Sequence, residues 1–210
     1  MGLKQKVPTV SLGTLFLASQ FVDLLWPSFL LIGIEQVEIV PGITRVTPLN
    51  FINYPISHSL LAVFGWAVAF ATIHWLLCKN RIGAIVCGIA VLSHWLLDFV
   101  THRPDLPLLP DNQILVGLGL WNSLWATIIV ELLIFSLGVW LYIRSTRAND
   151  KVGTLGLSAL IVFLLLIYAG NLFGPPPESV KIIGWAGQAQ WLLIVWGYWI
   201  DRHRSVIRKS

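Results

Sequence analysis

Residues 82–100 read IGAIVCGIAVLSHWLLDFV, and the reading of this stretch decides the fold. It contains no lysine or arginine, and as an α-helix its 19 residues rise about 28 Å, close to the roughly 30 Å of a bilayer's hydrocarbon core. Five other apolar runs of comparable length flank it, at Val10–Ile32, His58–Cys78, Ile114–Ile143, Val152–Phe173 and Ile182–Ile200. None alternates with period two, which excludes a transmembrane β-barrel. The expected fold is therefore all-α, a polytopic transmembrane helix bundle of six spans forming one integral membrane domain over residues 1–210. The first run is expected to be a span rather than a cleaved signal peptide, because it is long, Asp23 interrupts it and no small-x-small site follows.

Composition agrees with lipid as the main solvent. Of 210 residues, 56% are hydrophobic and 11% charged, where soluble domains carry about 25% charged residues. Mean hydropathy is +0.77. The isoelectric point near 9.3 does not indicate nucleic acid, because the basic residues lie between the apolar runs, where they set topology. With the N-terminus inside, Lys4, Lys6, Lys79, Arg81, Arg144, Arg147, Lys151, Arg202, Arg204, Arg208 and Lys209 are cytoplasmic. Only Arg45, Arg103 and Lys181 of the fourteen lie opposite. Both termini are thus expected in the cytoplasm. Cys78 and Cys87 flank a cytoplasmic turn, where a disulfide is not expected.

Two outer loops are substantial. In the first, Gly33–Ser57, VEIVPGITRV reads as two β-prone runs around Pro41-Gly42, a small hairpin or re-entrant segment. The second, His102–Gln113, holds Pro104, Pro107 and Pro110 and cannot be helical throughout. Function is expected on this side.

Ionisable groups within spans are costly and mark function by default. His94, Asp98 and His102 recur at i, i+4 and i+8, within a sector of about 80° on one helix face. His58, at the start of its span, reaches a similar depth if the second and third spans form a hairpin. Neutral imidazole and carboxylate suit zinc, manganese or iron. The expected metal ligands are His58, His94 and Asp98, with Asp23 or His102 completing the set or acting as a catalytic base. Arg103 and Asn122 are expected near a substrate, although Arg103 has a ready ion-pair partner in Asp105. The alternative for His94 and Asp98 is an intramembrane hydrogen bond without metal. Glu131 is either a base or a partner for His94, His74 a core or interfacial histidine, and His203 part of a solvated basic tail.

YPISHSLL before the second span and LSHWLLDFVTHRPDLPL in the third resemble the LexA-regulated, metal-dependent membrane-bound hydrolases of the bacterial inner membrane. The resemblance covers roughly the first half of the chain. It matches that family's aspartate-bearing first helix with Asp23, its T/S-H-S element with Ser57-His58-Ser59, and its S-H-x-x-x-D helix with Ser93, His94 and Asp98. Many relatives carry two carboxylates in the first helix, whereas FVDLLWP offers one. The resemblance implies a divalent metal, zinc before manganese or iron, used in hydrolysis at the inner (plasma) membrane. A lipid-linked or phosphoester substrate fits a site at that depth. Two other expectations stand beside it: a small permease or proton-coupled transporter using Asp23, His94 and Glu131, with an oligomer completing its pathway, and a non-catalytic accessory subunit.

Overall fold

A computed structural model of the chain describes residue 4, residues 7–111 and residues 113–207. Of the basic residues counted above, Lys6, Arg208 and Lys209 lie outside the described residues. The elements run α1 (Leu12–Ser19), α2 (Phe21–Leu31), β1 (Gln36–Ile39), β2 (Leu49–Asn53), α3 (Pro55–His58), α4 (Leu60–Cys78) and α5 (Arg81–Thr101). They continue with β3 (Leu106–Pro107), β4 (Leu115–Val116), a 3-10 turn (Leu120–Asn122), α6 (Leu124–Ser145), β5 (Thr146–Ala148), α7 (Lys151–Phe173), α8 (Val180–Gln188), α9 (Gln190–Arg202) and β6 (Arg204–Val206).

Four helices, α4 to α7, are long and apolar enough to cross a membrane, and five spans result if α1 and α2, bent by 54°, count as one. Each long helix starts at a side-chain cap that satisfies an otherwise unpaired amide: Ser59, Asn80, Ser123 and Asp150 accept from Ala62, Gly83, Ala126 and Gly153. Within α4 only Val63 and Ala67 are buried, while Leu61, Phe64, Val68, Leu76 and Leu77 are exposed. An apolar outer surface of that kind belongs in lipid.

The structure corrects several boundaries. His58 does not open α4; it closes the short helix α3, and Ser59 caps α4 after it. The fourth run does not begin at Ile114. Gly117 and Gly119 hold φ of 154° and 73°, which a right-handed helix cannot include, so the chain makes β4 and a 3-10 turn before α6. The hairpin exists, with β1 and β2 antiparallel, but its second strand is LNFIN rather than ITRV. The sixth run is not one helix either; it divides at Ala189 into α8 and α9.

These two broken helices pack on each other, α1 against α9 and α2 against α8. Small residues allow the approach: a Cβ on Gly197 would stand 3.1 Å from Gly13 N, and one on Gly187 2.4 Å from Pro27 Cγ. Pro27 has no N–H, so the carbonyl four residues back, Asp23 O, lacks the usual helical donor and takes Gln190 Nε2 at 3.3 Å. The hairpin of α4 and α5 packs beside them, with α5 against α1. α6 and α7 join through Tyr142, Leu157 and Leu160, which cluster with Leu12 and Ile200.

The connections gather at two ends. At one, Lys4 pairs with Asp201 at 2.9 Å, Asn80 Nδ2 donates to Thr9 at 2.8 Å, and β5 pairs with β6. His203, expected in a solvated tail, closes that sheet by meeting Asp150 at 2.7 Å and holds its carboxyl below the ordinary carboxylate range. The opposite end carries β1–β2, β3–β4 and the 3-10 turn.

Candidate metal centre

The break at Gln20 places the first candidate ligand, Asp23. Because α1 ends at Ser19, Asp23 falls in the first turn of a new helix, where the helix dipole favours a carboxylate. It faces His58 from α3 and His94 from α5. Asp23 Oδ1 lies 3.4 Å from His58 Nε2, and Asp23 Oδ2 lies 3.5 Å from His94 Nε2. One potential ligand atom from each of the three residues lies within 4.8 Å of the others. Asp98, one turn beyond His94, brings Oδ2 to 3.4 Å from His94 Nε2 and 3.8 Å from His58 Nε2.

These separations are long for N–H···O hydrogen bonds, which run about 2.7–3.2 Å. A tetrahedral ion with bonds of about 2.0–2.2 Å has ligand–ligand edges of roughly 3.3–3.6 Å. Three of the four distances fall in that window. Asp98 Oδ2 is also buried without a hydrogen-bond partner among the described residues, a costly state unless something else occupies its lone pairs.

The far sides of both imidazoles are committed. His94 Nδ1 donates to the Ser19 carbonyl at 2.9 Å. His58 Nδ1 donates to Ser57 Oγ at 2.6 Å, whose hydroxyl donates in turn to Glu35 Oε2 at 2.6 Å. Glu35 is 2% exposed and also accepts the amides of Ile56 and Ser57 at 2.9 and 2.8 Å. With Nδ1 protonated on both rings, the Nε2 lone pairs point at the shared space. Outer partners of this kind fix the tautomer and orientation of metal-binding histidines. Two imidazoles and two carboxylates so arranged could hold zinc, manganese or iron.

His102 does not join this group. It caps the end of α5, and its Nδ1 meets Asp105 Oδ1 at 3.0 Å. Its ring lies between Phe51 and Trp121, with centroids at 4.7 and 4.6 Å, and Tyr54 stands between it and His58. Tyr54 OH donates to Asp105 O at 3.0 Å. Burial, and after it the charges of Asp105 and Asp98, push that phenol far above its ordinary pKa, so it remains a hydroxyl.

Arg103 makes the ion pair with Asp105, Nε to Oδ2 at 2.9 Å, and hydrogen-bonds Asn50 Oδ1. Asn122 is exposed on the 3-10 turn. Glu131 does not partner His94; it accepts Trp121 Nε1 at 3.2 Å. Glu35, Tyr54 and the pairing of Asp105 with His102 were not anticipated from sequence.

A cavity of about 1100 Å³ reaches the centre. Asp23, His58, Asp98, His102 and Glu131 line it, along with residues of α7, α8, α9 and the β1–β2 turn. Fold and site together define a class: a helical chain of membrane-spanning character with a buried histidine–aspartate centre open to a large cavity. No family model matches this chain, and no curated protein or solved structure matches it.

Proposed function

We propose that this chain is a metal-dependent hydrolase of the bacterial inner membrane, with its site at the extracytoplasmic boundary and both termini in the cytoplasm. Counting α1–α2 and α8–α9 as broken spans gives six crossings. The orientation rests on the basic residues: Lys4, Lys79, Arg81, Arg144, Arg147, Lys151, Arg202 and Arg204 lie at the end away from the centre, and Arg45, Arg103 and Lys181 at the other. The hydrolase reading rests on one observation above the rest: two histidines, each tied at Nδ1, turn Nε2 toward Asp23 and toward Asp98, whose buried Oδ2 has no hydrogen-bond partner among the described residues. The resemblance of Ser57-His58-Ser59 and of Ser93-His94 with Asp98 to the LexA-regulated membrane-bound hydrolases supports the same reading.

Asp23, His58, His94 and Asp98 would hold a divalent cation, whose chemistry when bound would be that of a Lewis acid, lowering the pKa of water and polarising an ester oxygen. The remaining work belongs to the chain. His102 lines the cavity, and with Nδ1 donating to Asp105 its Nε2 is the nitrogen left to accept a proton from water. Asp105 holds that ring in one tautomer and is itself held by Arg103. Tyr54 and Phe51 pack against the ring and keep it in place.

Elemental analysis of the purified protein tests this reading, with wild type beside His94→Ala and Asp98→Ala. About one metal equivalent in wild type, lost in both variants without loss of fold, is the expected result. No metal after zinc or manganese is supplied sinks the hydrolase. One observation favours a second reading, a proton-coupled carrier: two broken helices face each other beside Asp23, a pattern found in transporters. Metal-independent flux that is lost in Asp23→Asn would select it.

A further inference from the structure

The cavity beside the centre is lined by polar and apolar residues together, with Tyr168 and Asn171 of α7 and Gln190 of α9 among the polar ones. Leu164 and Ile167 of α7 and Ile194 of α9 supply apolar surface between them. Ile167 is 50% exposed, so this cleft opens onto the apolar outer surface of α7. A hydrocarbon chain entering the cleft from lipid stays out of water, where each exposed CH₂ would cost about 0.8 kcal/mol.

The rim carries the complementary charge. Arg45 is the only lysine or arginine among the described residues that line the cavity. Its backbone N–H is fixed to Trp121 O at 3.0 Å, and the Trp121 ring lies 4.6 Å from that of His102. Arg45 lines the same cavity as Asp23, His58 and Asp98 of the centre. Its guanidinium has no hydrogen-bonded or ion-paired partner among the described residues, unlike Arg103, which is spent on Asp105. The aspartates of the centre already face two histidines, so Arg45 is the charge left for a ligand. Guanidinium groups bind phosphate through paired, charge-assisted hydrogen bonds.

We infer that the cavity takes a phosphate-bearing amphiphile from the bilayer, its phosphate on Arg45 and its chain along the cleft between α7 and α9. This rests on the hydrolase reading for its chemical consequence and not for binding. Native mass spectrometry of the whole protein tests it, by titration with dodecyl phosphate, dodecyl phosphocholine and phenyl phosphate, each with zinc and with chelator.

Two variants separate head from tail. Arg45→Gln removes the phosphate contact. Gly170→Phe puts a bulky ring at a helical position lining the cavity, where an added Cβ meets no atom within 4 Å, and thermal unfolding beside wild type checks that the fold is kept. The expected result is one dodecyl phosphate per chain, bound more tightly than the phosphocholine and weakened about tenfold or more by either variant. Dodecyl phosphate binding that neither variant changes overturns the inference. So does phenyl phosphate binding of equal strength that Arg45→Gln abolishes and Gly170→Phe leaves alone, since that ligand is a water-soluble phosphoester. Metal without dodecyl phosphate refutes the lipid site and spares the hydrolase; dodecyl phosphate without metal does the reverse.

Discussion

The carbonyl oxygen of Ser19, the last residue of α1, accepts the Nδ1 hydrogen of His94 from 2.9 Å away. In an unbroken helix that oxygen would take the N–H of Asp23, four residues on. The break at Gln20 thus does two things at once. It frees an acceptor that fixes the orientation of His94, and it puts Asp23 at the start of the next helix, facing the same imidazole. A bend that looks like a defect in a span is the device that assembles two members of the centre.

The Glu35–Ser57–His58 chain does for the second imidazole what Ser19 does for the first. Ser57→Ala removes the hydroxyl that links them and leaves Glu35 its two backbone amides. Metal affinity should fall by about 10–100-fold, as it does when outer partners of ligating histidines are lost. The readout is zinc competition against a chromophoric chelator, run beside thermal unfolding. A drop in melting temperature at unchanged affinity would assign Ser57 to packing alone.

If the proposed centre holds metal, metal should also stabilise the fold, because the four candidate ligands come from α2, α3 and α5 and converge only in the native state. A free metal concentration 100 times the dissociation constant adds about 2.7 kcal/mol. Thermal unfolding in detergent should therefore shift upward with zinc in wild type and downward with chelator. His94→Ala and Asp98→Asn should abolish the shift. An equal shift in His94→Ala would place the zinc elsewhere.

Much of this architecture is written locally. The runs that became α4, α5 and α7 begin within a residue or two of Ser59, Asn80 and Asp150, caps with an evident chemical reason. The i, i+4 pair of His94 and Asp98 needs only helical geometry to converge. What stayed hidden depends on partners distant in sequence. Neither Gln20 nor Ala189 is a helix breaker, and the broken helices there hold each other through contacts such as Gln188 Nε2 to Ser28 Oγ at 2.8 Å. ITRV has strand propensity, yet Thr44 Oγ1 accepts the amides of Val46 and Thr47 and folds that segment into a turn. Glu35 sits in a polar loop by sequence and is buried only because Ile56 and Ser57 bring their amides to it. Gly117 and Gly119 are the exception: their signal was present inside the apolar run and was outweighed by hydropathy.

The packing of the broken helices sets a contrast among glycines. A Cβ on Gly13 would lie 2.3 Å from the Tyr198 ring, and Tyr198 is held by its hydroxyl contact with Thr14 at 2.9 Å. Gly13→Ala should destabilise by about 1–3 kcal/mol through overpacking. Gly138, in α6, has no atom within 4 Å of an added Cβ, and Gly138→Ala should be neutral or stabilising by up to about 1 kcal/mol. Thermal unfolding of the two variants side by side measures the difference. Equal stabilities would mean that α1 and α9 are not in tight contact.

The proposed orientation has a direct chemical test, because the two cysteines differ in access. Cys78 is exposed at the last position of α4, and Cys87 is buried within α5. With the α4–α5 turn in the cytoplasm, a membrane-impermeant maleimide applied to intact spheroplasts should leave Cys78 unlabelled until the membrane is opened. In a Cys78→Ala background, Leu109→Cys, exposed in the loop between β3 and β4 at the other end, should label in intact spheroplasts. Buried Cys87 keeps the background low. Labelling of Cys78 alone before lysis would invert the orientation, move the centre and its cavity to the cytoplasmic boundary, and make a cytoplasmic-leaflet phosphate lipid the ligand to test.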